Sequence, residues 1–243
     1  MNVRESVVRY GPSPWHRIDL YSPGDTPVAA PVVLFHGGFW RHDRTARDLE
    51  PLAVALVRRQ HTVAVVEYRP VWDGGTWPGA AHDAAGALDA LVDHDPAWKG
   101  AVLAGHSAGA HLTMAAAAGR GAGSTLVLLA PVVQLARADA LGVGGGAVRH
   151  FVGPHLAAGG TLEEATPRPD RADVARLLVV RAGSDQAVPR ELTDAQLDDW
   201  RADGLRPEDR LVPDARHMHL VNPERPGCAT TLDVLTAATG GAA

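Results

Sequence analysis

Apolar residues along this chain fall into two alternating rhythms. Continuous runs at Val32-Val33-Leu34-Phe35, Thr62 to Tyr68, Ala101-Val102-Leu103-Ala104, Thr125 to Leu129 and Leu177 to Arg181 have the length of buried strands. Between them, apolar positions recur three and four apart, as on one face of a helix. Leu49, Leu52, Ala53, Leu56 and Val57 form such a face within Thr45 to Arg59. Ala80 to Asp93, Ala110 to Ala118, Glu191 to Asp203 and Pro223 to Thr239 are read the same way. Val3 to Arg9 and His16 to Tyr21 read as two short strands around Gly11-Pro12-Ser13-Pro14, an antiparallel start. Ser22 to Pro31 reads as a Pro/Gly loop, and Arg210 to Val212 as a late short strand. Strand–helix alternation from residue 32 onward predicts an α/β chain with a mostly parallel central sheet and helices on both faces. No repeat, heptad or boundary divides residues 1–243, so one domain is expected. Residues 132–174, around the Gly142 to Gly146 patch, show little periodicity and predict a short, irregular, lid-like insertion.

Composition narrows the partners. The chain is 46% hydrophobic and 21% charged, with a net charge of −5. That balance argues against nucleic acid or an anionic membrane as partner. No apolar run approaches the roughly 20 residues of a membrane span, and Met1 to Tyr10 lacks the apolar core of a signal peptide. A cytoplasmic protein acting on a small molecule is expected, with a homodimer left open. Cys228 is the one cysteine, so no internal disulfide can form.

The chemistry gathers where predicted strands end. Gly105-His106-Ser107-Ala108-Gly109 follows one strand and opens a helix. A nucleophilic serine held clear of a sheet needs such a sharp turn, with small residues two positions either side. A serine nucleophile also needs a base, an acid that orients the base, and donors for the developing oxyanion. Asp185 lies just past the strand ending at Arg181, beyond Gly183. His217 and His219 follow Leu211-Val212-Pro213, and the residues alone leave both open as the base. The order Ser…Asp…His, each after a strand, separates this arrangement from other serine-hydrolase orders. For the oxyanion, the N–H groups of Gly38, Phe39 and Ala108 are the expected donors, and His36 is expected to bond loop carbonyls. Phe39, Trp40, Trp72 and Trp77 also fall in loops after strands, and Trp40, Trp72 and Trp77 are candidates for a substrate pocket. Glu67-Tyr68-Arg69 and Asp83 are candidates for bracing those loops, and Asp89 reads as a solvated helix position.

On these segments the chain resembles the α/β-hydrolases, and more narrowly the esterase/lipase-like branch that includes arylformamidases (kynurenine formamidases). The carrying residues are His36-Gly37-Gly38-Phe39-Trp40, Glu67-Tyr68-Arg69, Gly105 to Leu112, Gly183-Ser184-Asp185 with Val188-Pro189, and His217-Met218-His219-Leu220-Val221. The resemblance implies an α/β-hydrolase fold and a triad of Ser107, Asp185 and His217, and it selects His217 over His219. Met218 departs from the aromatic residue common at that place, and His219 and Asn222 from commonly acidic ones.

Three activities are weighed. The first is a serine hydrolase of small carboxylic esters working through an acyl-enzyme, with an arylformamidase as the alternative. The second is a metal hydrolase using His217 and His219 with His42 and Asp43. It lacks any H-E-x-x-H or Cys/His ligand spacing, and neither metal nor cofactor is expected. The third is a non-catalytic small-molecule receptor on the same fold.

Overall fold

The computed structural model describes residues 3–24 and 29–240. Residues 25–28, inside the expected Ser22 to Pro31 loop, lie outside them. One eight-stranded sheet organises the chain, in the order β1-β2-β4-β3-β5-β6-β7-β8. Its strands are β1 (Val3–Arg9), β2 (Arg17–Pro23), β3 (Val32–Phe35), β4 (Val63–Val66), β5 (Val102–His106), β6 (Ser124–Leu129), β7 (Val174–Ala182) and β8 (Pro207–Val212). The β1–β2 and β2–β4 pairs are antiparallel. From β4 to β8 every pairing is parallel.

Each central strand alternates its side chains between two cores. Val33, Phe35, Leu103, Leu126, Leu128 and Val179 face one core. It is covered by residues of α2 (Gly79–His94), α3 (Ala108–Ala117), α4 (Leu135–Ala140), α5 (Ala147–Ala157) and α6 (Arg190–Ala202). Val32, Leu34, Val102, Ala104, Val127 and Val180 face the other, beneath α1 (Glu50–Arg58) and α7 (Gly227–Ala238). Burial on both faces explains why these strands read as continuous apolar runs. Each fully buried Val, Leu or Phe contributes about 1.5–3 kcal/mol relative to exposure.

Several elements depart from the expected bounds. The segment expected as one helix from Thr45 opens with a 3-10 turn at Ala46–Leu49 before α1. Pro51 sits in the first turn of α1, where a missing N–H is harmless. The expected terminal helix starts at Gly227 rather than Pro223, after Pro226. Residues 132–174 are irregular only in part, because within their turns they carry α4 and α5. The stretch escapes periodicity analysis because α4 is six residues long and the buried stripe of α5 is only Ala147, Val148, Phe151 and Val152. No helix among the described residues is long and apolar enough to cross a membrane.

Candidate active site

Parallel strands end on one edge of the sheet, and the loops that follow β3, β5, β7 and β8 bring the candidate residues there. Because β3 and β5 are neighbours, with Phe35 opposite Gly105, the loop after each lies against the other. Ser107 sits at φ 55°, ψ −120°, a conformation rarely taken by a residue with a Cβ. Its N–H donates to the Leu129 carbonyl at 2.8 Å, and its own carbonyl accepts from Ala110 and Val132 at 3.0 and 3.1 Å. Both flanking glycines are dictated by close approach. A Cβ on Gly105 would stand 2.3 Å from Thr113 Oγ1, and one on Gly109 would stand 2.1 Å from the Phe35 carbonyl oxygen. Any larger residue would force β3, β5 and α3 apart.

Ser107 Oγ is buried and makes no hydrogen bond among the described residues. Serine and base often close to bonding distance only when substrate is present. Asp185 is held by its own turn, with Oδ1 accepting from the N–H groups of Ala187 and Val188 at 2.8 and 2.9 Å. Its Oδ2 lies 2.8 Å from His217 Nδ1. His217 therefore meets the carboxylate, and His219, two residues on in the same 3-10 turn (His217–Leu220), does not. A carboxylate at Nδ1 keeps the proton on that nitrogen and leaves Nε2 as the basic one.

Ser107 and His217 line one cavity of about 330 Å³, together with Gly37, Gly38, Phe39 and His106. The rest of its wall is Arg41, Arg44, Asp48, Leu49, Ala187 and Met218. His106 packs its ring 4.5 Å from that of His217. Its Nε2–H donates to the His217 carbonyl at 3.3 Å. Burial first, and the neighbouring His217 second, push the pKa of His106 well below the usual histidine range. His106 is thus a neutral strut beside His217.

The loop after β3 is shaped by three consecutive positive φ angles, 100° at Gly38, 54° at Phe39 and 58° at Trp40. Among the described residues the N–H groups of Gly38, Phe39 and Ala108 make no hydrogen bond. Ala108 opens α3, where the first N–H groups have no intrahelical acceptor. The loop is braced from behind. His36 Nδ1–H donates to the Gly37 carbonyl at 2.8 Å, and His36 Nε2 lies 2.9 Å from Glu67 Oε1. Tyr68 stacks on the His36 ring at 4.3 Å and donates its hydroxyl to the His36 carbonyl at 2.9 Å. Glu67 Oε2 also accepts the Ala46 N–H at 3.0 Å. A trans peptide holds its C=O and N–H antiparallel, so turning the Gly37 carbonyl toward His36 turns the Gly38 N–H the other way. Asp83 extends the brace, gripping Arg69 (2.7 Å) and His16 (3.1 Å).

The tryptophans are a correction. Trp40 is wholly buried, stacked on Phe151 of α5 at 4.1 Å and edge-on to His111 at 5.6 Å. Its positive φ helps place it inward, where α5 covers it. Trp77 packs edge-on against the same His111 and Phe151, at 5.4 and 6.3 Å. Trp72 is 62% exposed and touches Trp15 and His42 by their edges. None of the three lines the cavity beside Ser107. Lying in a loop after a strand does not fix which way a ring faces, and large apolar rings gain more from the core. The residues that do form the wall, Arg41, Arg44, Asp48 and Leu49, arrive because the chain turns back after Gly38, whose carbonyl accepts the Arg41 N–H at 3.1 Å. No periodicity signals that turn, although the positive-φ glycine is a hint. No group of three or more His, Cys, Asp or Glu side chains placed to hold a metal occurs among the described residues.

A mostly parallel sheet whose β5 runs into a strained serine turn, with Asp and His loops following β7 and β8, defines the chain as an α/β-hydrolase-fold protein. Its resemblance to known proteins follows that fold. Residues 18–126, less than half the chain, match the BD-FAE family model. A probable isoprenylcysteine alpha-carbonyl methylesterase of Arabidopsis thaliana is 35% identical over 119 residues, 47% of this chain and 28% of that protein. Kynurenine formamidase of Danio rerio is 31% identical over 107 residues, 43% of this chain and 36% of that protein. The matches thus span about a third or less of these curated relatives. Among solved structures, esterase B from Lactobacillus rhamnosis superposes with a TM-score of 0.78 at 18% identity, covering 98% of this chain and 85–87% of that one across two structures with TM-scores of 0.77 and 0.78 and identities of 17 and 18%. A carbohydrate esterase from gut microbiota gives 0.76 at 14% identity, covering 99% and 97% of the two chains.

Proposed function

We propose that the protein is a serine hydrolase of small carboxylic esters, with Ser107, His217 and Asp185 as its triad. The observation that carries this reading is the 2.8 Å pairing of His217 Nδ1 with Asp185, beside a strained serine in the same cavity. Ser107 Oγ attacks the ester carbonyl carbon while His217 Nε2 takes its proton. Asp185 holds the imidazole in the right tautomer and stabilises the imidazolium. The oxyanion is met by the N–H groups of Gly38, Phe39 and Ala108, each such donor being worth about 3–4 kcal/mol in the transition state. As the C–O bond to the leaving group breaks, His217 returns the proton to the departing oxygen. Water then gives its proton to His217 and its oxygen to the acyl carbon, and Ser107 leaves with the proton that His217 returns.

Hydrolysis of aryl formamides is the second reading. It is favoured by the similarity to a protein named kynurenine formamidase over part of the chain, and the same machinery would attack a formyl carbon. A kinetic screen of short 4-nitrophenyl esters against N-formylkynurenine, with Ser107→Ala as the blank, separates the two. The ester reading expects higher kcat/KM on the esters; a large preference for the formamide would reverse the order.

A further inference from the structure

The cavity beside Ser107 carries charges that ester hydrolysis itself does not need. Arg41, Arg44 and Asp48 are all part of its wall, in a chain whose net charge is −5. The two cations are not equally committed. Arg41 is gripped in a fork by Asp43, at 3.0 and 2.6 Å. Arg44 meets Asp48 at 3.7 Å, beyond hydrogen-bond length, with its side chain 51% exposed. An exposed pair of that kind is worth about 1 kcal/mol or less, so a better-placed carboxylate readily displaces Asp48.

The stem of Arg44, in contrast, has a built seat. A Cβ on Gly38 would stand 2.2 Å from both Cβ and Cγ of Arg44, so the arginine stem fills the space left by the missing side chain. Gly37, next in line, also lies against the serine, because its own Cβ position is 2.9 Å from Ser107 Cβ. A line of contact therefore runs from Ser107 through Gly37 and Gly38 to Arg44. We propose that Arg44 is a specificity-determining residue that receives a carboxylate, and that the substrates are small esters or amides bearing an acid group a few bonds from the scissile carbonyl. Its planar fork matches a carboxylate with two parallel hydrogen bonds, which a lysine cannot reproduce. The word substrate rests on the hydrolase reading above, whereas the anion seat does not.

Two matched substrate pairs test this. 4-Nitrophenyl hemiglutarate against 4-nitrophenyl valerate puts the acid on the acyl side, and 4-carboxyphenyl acetate against phenyl acetate puts it on the leaving side. The acid should win in at least one pair by about tenfold in kcat/KM, carried by KM. About 1 M NaCl should shrink the advantage. Arg44→Gln should bring the ratio near one, and Arg44→Lys should keep part of it. No preference in either pair, or a preference unchanged by Arg44→Gln, overturns the proposal. Glutarate and benzoate titrated by calorimetry into Ser107→Ala, with and without Arg44→Gln, read the seat without turnover. If an acid binds through Arg44 but no ester is cleaved, the hydrolase reading fails and the anion seat stands. If esters are cleaved without discrimination and neither acid depends on Arg44, the reverse holds.

Discussion

The proposed nucleophile half of the site and its proposed acid–base half are seated differently in the sheet. Ser107 and the 36–40 loop stand on β3 and β5, strands whose every residue is buried. Their geometry is set by backbone contact, with two glycines at closest approach and a buried His36–Glu67–Tyr68 brace behind the loop. Asp185 and His217 follow β7 and β8 at the sheet edge, and β8 has no fully buried residue. That edge is tied by ion pairs, Arg176 to Glu208 at 2.6 Å and Arg181 to Asp209 at 2.8 Å, with Arg181 also reaching Asp194. Contact between neighbouring strands keeps the first half close in sequence pattern. The second half is closed by the Asp185–His217 hydrogen-bonded pair, and its two loops also meet through backbone, with the Ser184 N–H donating to the Ala215 carbonyl at 2.9 Å and a Cβ on Gly183 standing 2.2 Å from the Pro213 carbonyl oxygen. The stretch matching the BD-FAE family model ends at residue 126, before either residue of that pair.

The comparison can be broken at its weakest link. His217→Ala should lower kcat by about a million-fold, as loss of a base does in other triads. His219→Ala, read by the same ester assay, should stay near wild type. Asp185→Asn keeps the shape of the acid–base half but removes the carboxylate that selects the tautomer, and should lower kcat about ten-thousand-fold. In the other half, Glu67→Gln leaves the strands intact and loosens only the brace on the Gly37–Gly38 peptide. A fall of about 10- to 100-fold in kcat with little change in KM is expected. A change in KM alone would remove Glu67 from that role.

A further effect concerns stability rather than rate. His111 lies among Trp40, Trp77 and Phe151 and donates Nε2–H to the Ala165 carbonyl at 2.7 Å. Burial lowers its pKa to about 4. Below about 6.5 the unfolded chain binds a proton there that the native chain refuses, so stability falls as pH drops from 6.5 to 4. The loss from this residue is about 3 kcal/mol. Urea unfolding at both pH values should show it, with a shallower decline in His111→Leu. His106 and His61, also lowered first by burial, keep part of the decline in that variant. An identical slope in His111→Leu would mean that His111 is not the proton acceptor.

The same contrast explains what the sequence could say. Runs such as Val32 to Phe35 name parallel strands because burial on both faces leaves no polar alternation, and Gly105 and Gly109 mark the serine turn because nothing larger fits. Asp185 was legible by its place after a strand, whereas order alone left His217 and His219 both open and the resemblance selected His217. The bracing by Glu67 and His36 was legible as a candidate, because both flank strand ends. The pocket wall was not. Trp40, Trp72 and Trp77 stand after strands yet turn to the core or to solvent, while Arg44 reaches the cavity by a turn that no periodicity records. The helices of 132–174 were hidden by their shortness and by the glycines between them.

The central claim is that Ser107 is the nucleophile. Intact mass and peptide mapping after exposure to a fluorophosphonate probe test it directly. One adduct on the peptide carrying Ser107, absent from Ser107→Ala and suppressed in His217→Ala, is the expected result. Undiminished labelling of Ser107→Ala would contradict the account.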